Sequence, residues 1–265
     1  MYSLRIACSS EQVDWLSGEL WEAGTAGIRE ITDGDGVVLV AVFERNDALG
    51  ELLRRFAPYA PEWELEPSTD WVKLTRDAWP AREIGKTLFL APPWCGDPTP
   101  PGRERIIHNP GLACGTGEHP CTQLALKALE ERVTADSLVI DVGTGSGILA
   151  IAAIRLGAGS VIGVDVDEAS LHAARENFLL NDLTPSLVAG SPEALAGESA
   201  DITVANINGT VLLSMLHDLL RITRANGLLI LTGFAETEVS TFQAHFSHAT
   251  VSEMDGWGCI AANVS

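Results

Sequence analysis

The chain has 265 residues, 46% of them hydrophobic, enough for a real core in one large or two unequal domains. No apolar run approaches the length of a membrane span, and Met1 to Ala7 shows no basic segment leading into an apolar one, so neither a membrane partner nor a signal peptide is expected. The net charge of −19 repels phosphate backbones and disfavours direct binding of nucleic acid, while it favours a basic partner.

Acidity for solubility alone would give the same total, but its distribution is uneven. Residues 1–66 hold 13 acids and 5 bases, net −8, so the first quarter of the chain is the more densely acidic part. The five cysteines (Cys8, Cys95, Cys114, Cys121, Cys259) are odd in number, scattered and without a C-x-x-C, as reduced thiols of a cytoplasmic protein would be. Cys114, His119 and Cys121 lie close together, but a structural zinc site needs a fourth ligand and none is patterned nearby, so no metal is expected.

Residues 3–9 alternate as a half-buried strand, with Leu4, Ile6 and Cys8 on one side. Ser9 and Gln12 have capping-box spacing before a helical stripe of Val13, Leu16 and Leu20, and Gly24 stands where a helix-ending glycine would. Residues 26–32 and 37–43 form a hairpin about the turn Asp33 to Gly36. A second helix carries Leu49, Leu52, Leu53 and Phe56, and residues 62–66 alternate again. The order β-α-β-β-α-β is that of a small ferredoxin-like α+β module, residues 1–66. A linker, residues 67–80, bears Trp71 and Trp79 and reads as a short helix. The remainder, residues 81–265, opens with a strand at 86–91 and a return strand at 104–108.

Residues 109–122 read Asn-Pro-Gly-Leu-Ala-Cys-Gly-Thr-Gly-Glu-His119-Pro-Cys-Thr122, just before a helix expected over 123–133. Pro120 suits a first helical turn. Such a density of Gly, Thr and His in one connection points to a functional loop rather than an ordinary capped turn.

The most informative stretch is residues 138–167. A β-branched apolar run ends in Asp141-Val-Gly143-Thr-Gly145-Ser-Gly147, a helix follows at once, and a second buried strand ends in Asp165. Glycines let the backbone turn sharply beside a ligand, the helix start turns free N–H groups toward it, and an acid about twenty residues on is placed to accept from ribose hydroxyls. This is a nucleoside-binding βαβ unit. Its spacing differs from the dinucleotide G-x-G-x-x-G, which argues against a nicotinamide oxidoreductase. Further on, residues 168–182 form the returning helix, 186–189 a short strand, and 201–209 a strand ending in Asn206-Ile207-Asn208-Gly209. Ligands bind outside the carboxyl ends of strands in open α/β sheets, so Asn206 belongs at the site. A helix over 210–223, a turn at Asn226-Gly227 and strands at 228–231, 249–254 and 258–264, with a helix near 236–246, complete seven strands.

Asp141-x-Gly143-x-Gly145-x-Gly147, with Asp165 and Asn206-Ile207, resembles the motifs of class I S-adenosylmethionine-dependent methyltransferases. The loop Pro110-Gly-Leu-Ala-x-Gly-Thr-Gly-x-His119-x-x-Thr122 and the Ala91-Pro-Pro-Trp94 strand end narrow the resemblance to the ribosomal protein L11 methyltransferases of the PrmA type, over nearly the whole chain. The resemblance implies a Rossmann-like seven-stranded α/β domain behind a ferredoxin-like domain that holds the ribosomal protein. It also implies S-adenosyl-L-methionine as cofactor, with contacts at Thr122, Gly143, Asp165 and Asn206 beside the turn residue Gly145. The expected reaction is methyl transfer to lysine ε-amines and an N-terminal α-amine, with Asn206 orienting the amine and the enzyme acting as a monomer.

Cys114 and Cys121 stand where Phe and Thr are more usual, and Asn208-Gly209 replaces the commoner Leu-Ala; both changes bear on substrate geometry. Other readings are a methyltransferase of another protein or a small-molecule amine, and a catalytically silent cofactor-fold module. The glutamine methyltransferases carry Asn-Pro-Pro-Tyr where this chain has Asn206-Ile207-Asn208-Gly209. A silent module would be marked by a broken glycine motif or a missing strand-end acid, and both are intact.

Overall fold

A computed structural model describes residues 2–33, 36–43, 49–65, 79–109 and 117–264. The chain divides into two compact units, Met1–Ala78 and Trp79–Ser265. The linker read at 67–80 falls outside the described residues up to 78, and Trp79 and Pro80 belong to the second unit.

In the first unit β1 (Tyr2–Cys8), β2 (Gly27–Asp33), β3 (Gly36–Phe43) and β4 (Glu62–Leu65) form an antiparallel sheet in the order β2-β3-β1-β4. Helices α1 (Val13–Glu22) and α2 (Leu49–Arg55) come after β1 and β3. Placing the first strand in the middle and the last at the edge is the ferredoxin-like arrangement. Gln12 Oε1 accepts the backbone N–H of Ser9 at 3.1 Å, half of a capping box. At the other end Gly24 adopts φ +83°, and Thr25 N–H reaches back to the Leu20 carbonyl. Leu16 and Leu20 of α1 and Leu52 of α2 close with Phe56 over Leu4, Ile6 and Leu39 of the sheet.

The second unit is built on a seven-stranded sheet. Its strands are β8 (Leu138–Val142), β9 (Ser160–Asp165), β10 (Leu187–Ala189), β11 (Ala200–Asn206), β12 (Thr223–Ala235), β13 (Ala249–Met254) and β14 (Trp257–Asn263). Their order is β10-β9-β8-β11-β12-β14-β13, parallel from β10 to β12, with β14 antiparallel to both β12 and β13. Period-2 alternation feeds two cores. Val139, Leu228 and Ile230 face one side with α3 (Pro120–Arg132) and α4 (Ile148–Arg155). Ile140, Val142, Leu229 and Leu231 face the other, with α6 (Gly209–Ile222) and α7 (Val239–Gln243). Helix α5 (Glu168–Leu180) returns from β9 and adds Phe178 to the first core. The chain order reverses between β8 and β11, and it is at the carboxyl ends of the strands beside such a switch point that open α/β sheets bind ligands.

Several elements differ from the sequence reading. Helix α3 starts at Pro120, not 123, because His119 caps it: His119 Nδ1 accepts from Cys121 N–H at 3.3 Å. Strand β12 runs through the Asn226-Gly227 turn, since Asn226 adopts φ +63° while the chain keeps pairing on either side. The strands read at 86–91 and 104–108 belong to a further sheet, with a third strand that the sequence did not show. In it β5 (Arg82–Ile84) pairs antiparallel with β6 (Leu88–Ala91), and β7 (Glu104–Ile107) pairs with β6 in parallel, so β7 is no hairpin return. Ile84, Leu88, Leu90 and Ile106 of this small sheet join the first core.

Glu130 of α3 holds the β5–β6 turn, taking the backbone N–H groups of Lys86 (2.9 Å) and Thr87 on its carboxylate. Desolvation works to raise its pKa, but these bonds and the nearby Arg103 outweigh it, and the carboxyl titrates below its usual 4.5. A depressed acid contributes stability above its unfolded pKa and loses it as pH falls through the folded value. Glu130→Gln should therefore lower stability near neutrality by about 1–2 kcal/mol, and the deficit should shrink below about pH 4.5. Thermal melts across pH check this; a deficit that stays constant into acid would contradict it.

Candidate active site

The glycine turn joins β8 to α4. Gly143, Gly145 and Gly147 adopt φ of +68°, +53° and +79°, the left-handed region that side chains disfavour. Space is short as well: a Cβ on Gly143 would lie 2.6 Å from Ile207 Cδ1. The turn is tied to the neighbouring strand. Gly143 and Thr144 donate to the Val164 carbonyl, and Gly145 N–H donates to Asp165 Oδ2 at 2.9 Å. The second oxygen of Asp165 takes Asp167 N–H at 3.0 Å. A carboxylate has about four acceptor positions, so these two bonds fix the group and leave lone pairs for a ligand's hydroxyls.

Next to this turn, Asn206 ends β11 and Thr122 lies in the first turn of α3. Asn206 Nδ2 donates to Thr122 Oγ1 at 3.1 Å. That bond sets the amide's orientation, and no donor among the described residues takes Asn206 Oδ1. Ile207 links the two halves. Its side chain fills the space against Gly143, and its backbone is pressed against Gly233, where a Cβ would come within 2.2 Å of the Ile207 carbonyl oxygen. Gly233, at φ +104°, sits at the register shift between β12 and β14. A bulge glycine thus lets one strand crowd the next and places the Asn206-Ile207 peptide. Ile207 was read only as part of the Asn206-Ile207 motif, and Gly233 was not singled out; the signal available for it was a lone glycine close to a strand pattern.

Of the loop before α3, residues 110–116 lie outside the described residues. The rest is anchored by the small sheet. Gly117 sits against Leu90, and Glu118 forms an ion pair with Arg82 of β5. The His119 ring meets Trp257 of β14 edge-on, centroids 4.6 Å apart. Cys121 and Cys259 are buried, and burial pushes the Cys259 thiol up to about 12, so both stay protonated.

Asp141 lies beneath the turn, 1% exposed. Its Oδ2 takes the Thr144 hydroxyl at 2.7 Å and Ala150 N–H at 3.2 Å, while Oδ1 has no hydrogen-bond partner among the described residues. Burial pushes its pKa from 3.8 up to about 7, against the Thr144 and Ala150 bonds and with a further push from Asp165.

Every sequence-predicted site residue therefore lies at the carboxyl ends of β8, β9 and β11 or at the start of α3, in two bonded pairs, Asp165 with Gly145 and Asn206 with Thr122, joined through Gly143 and Ile207. A positive-φ turn that side chains would fill, a strand-end acid and a buried acid with an unpartnered oxygen fit a nucleoside carrying a cationic centre. With the 3-2-1-4-5-7-6 strand order they define a class I S-adenosylmethionine-dependent methyltransferase. Comparison with known proteins gives the family: the one described as "Ribosomal protein L11 methyltransferase (PrmA)" matches residues 1–264, and the chain belongs to it. It is 32% identical to the ribosomal protein L11 methyltransferase of Pseudomonas paraeruginosa, over 96% of this chain and 95% of that one. The Bacillus cytotoxicus protein of that name is 30% identical, over 98% and 97%. Among solved structures, the ribosomal protein L11 methylase of Lactobacillus delbrueckii subsp. bulgaricus superposes with a TM-score of 0.63 at 30% identity, over 69% of this chain and 96% of that one.

The raised pKa of Asp141 has a stability consequence. An acid whose folded pKa lies above its unfolded value helps folding below 3.8 and loses that contribution as pH rises through about 7. Asparagine can keep the Thr144 and Ala150 bonds through its oxygen without ionising. In the absence of cofactor, the melting temperature of Asp141→Asn relative to the parent should thus climb from about pH 4 to about pH 7 and level off above it. Parallel pH profiles would show that Asp141 is not held near neutrality.

Proposed function

We propose that the chain transfers methyl groups from S-adenosylmethionine to lysine ε-amines and the N-terminal α-amine of ribosomal protein L11. The observation that carries the reading is the Asn206–Thr122 pair, which holds at the end of β11 an amide carbonyl that has no donor among the described residues. S-adenosylmethionine, when bound, supplies a methyl group already activated on a sulfonium. The chain's task is to position the amine, free its lone pair and exclude water. A lysine amine is protonated in water, with a pKa of about 10.4, and withdrawal from solvent disfavours the ammonium form. Asn206 Oδ1 then accepts an amine N–H and aims the lone pair. In this reading Thr122, Gly143, Gly145 and Asp165 hold the cofactor, Asn206 touches both cofactor and amine, and His119 is the helix cap and a wall of the site rather than a base.

Residues 1–66 are assigned to substrate recognition, 67–80 to a linker and 81–265 to catalysis. Supporting the first assignment, the small unit holds none of the site residues. It is net acidic and exposes Trp15, Trp21, Trp63 and Leu65, an unusual display of large apolar groups suited to a protein partner. A basic ribosomal protein would be steered to it by charge, so added salt should slow capture. No helix among the described residues is long and apolar enough to cross a membrane. A cytoplasmic monomer acting on free or ribosomal protein, without direct contact to nucleic acid, completes the proposal.

Incubation of the chain with unmethylated ribosomal proteins and methyl-labelled S-adenosylmethionine tests it: label should enter ribosomal protein L11, and label confined to another band would overturn the assignment. Asn206→Ala should lower turnover on the order of a hundredfold while raising the cofactor dissociation constant by less. Thr122→Ala should affect the cofactor first. Equal effects of Asn206→Ala on both quantities would reduce Asn206 to a cofactor ligand.

A further inference from the structure

Two asparagines of α5 and its C-terminus, Asn177 and Asn181, are each 2% exposed. A buried amide is costly unless its donors and acceptor are met, and both are met by backbone. Asn181 Oδ1 takes Ile107 N–H at 2.8 Å, and its Nδ2 donates to the Ile107 carbonyl at 2.6 Å. Asn177 Oδ1 takes Asn109 N–H at 2.8 Å. The amides thus do for β7 what a neighbouring strand would do, on the edge opposite β6. The spacing fits: four residues along a helix advance about 6 Å, and two along a strand about 6.7 Å.

Asn177 does one thing more. Its Nδ2 also donates to the carbonyl of Ser146, at 2.9 Å, inside the glycine turn. The same helix face touches that turn directly, because a Cβ on Gly147 would lie 3.1 Å from Ala174 Cβ and 3.3 Å from Phe178. Residues 174, 177, 178 and 181 recur at the spacing of one helix face, the face pressed on the turn. The helix begins three residues beyond Asp165, capped by Asp167, whose carboxylate takes Ala169 and Ser170 N–H. One rigid element therefore joins the acid at the end of β9, the Ser146 peptide of the turn and the strand that leads to the loop at 109.

We propose that Asn177 is a positioning residue for the cofactor: by fixing the Ser146 carbonyl it sets the Gly145–Gly147 peptides, and with them the Gly145 N–H that orients Asp165. Asn181 is its internal control, a staple of the same chemistry on the same helix that does not reach the turn. The inference rests on S-adenosylmethionine being the ligand of this turn, which the parent protein's own binding checks separately.

Calorimetry with S-adenosylmethionine and thermal melts, on the full-length parent, Asn177→Ala, Asn177→Asp and Asn181→Ala, tests it. Both alanine variants should melt earlier. Only Asn177→Ala should also weaken cofactor binding, by about tenfold or more, the scale of losing one buried hydrogen bond. Asn177→Asp keeps an acceptor for Asn109 N–H but has no donor for Ser146, so it should weaken binding as the alanine does. Asn181→Ala should stay within about twofold of the parent. The proposal is overturned if Asn177→Ala binds the cofactor like the parent, if Asn177→Asp restores parental binding, or if Asn181→Ala weakens binding by the same factor as Asn177→Ala. A parent that binds no S-adenosylmethionine would instead refute the cofactor reading.

Discussion

The site depends on one hydrogen bond, from Gly145 N–H to the carboxylate of Asp165. It is charge-assisted, joins the turn after β8 to the end of β9, and forms only because Gly145 can adopt a left-handed conformation. Without it the strand-end acid would be loose from a turn that only the Gly143 and Thr144 bonds to the Val164 carbonyl would still hold. With it they are a single surface whose polar groups are oriented before any ligand arrives, so little ordering remains to be done on binding.

Around that bond the architecture uses crowding where catalysis tolerates no play. Ile207 is caught between Gly143 and Gly233, each of which would collide with it if it carried a side chain. The Asn206 amide is consequently held from behind by backbone packing and from the side by Thr122. Two glycines far apart in sequence thus act on a single peptide. The buried Asp141 below the turn shows the opposite strategy: a costly group kept in place by two bonds, with its charge suppressed by burial.

Much of this was legible in the sequence because the signals are local. Asp141, the glycine triplet and Asp165 fall within one strand–helix–strand stretch, and each strand end announces itself by polar residues after an apolar run. The βαββαβ order of the first unit was readable for the same reason. What escaped was non-local. The three-residue strand β5 is too short for a period, and its partners are decided by the core it joins. The role of Gly233 depends on Ile207, 26 positions away. Asn177 and Asn181 look like polar interruptions of a helix until the free edge of β7 is placed beside them. The start of α3 was misplaced because the cap is a histidine, a residue outside the usual capping set.

The central claim is that the glycine turn and the Asn206–Thr122 pair are two walls of a single cofactor site. Amide hydrogen exchange of the full chain, with and without S-adenosylmethionine, addresses it directly. The account predicts that peptides spanning 143–149, 120–124 and 204–208 gain protection together on adding the cofactor. Protection confined to 143–149, with 120–124 and 204–208 exchanging as before, would contradict it.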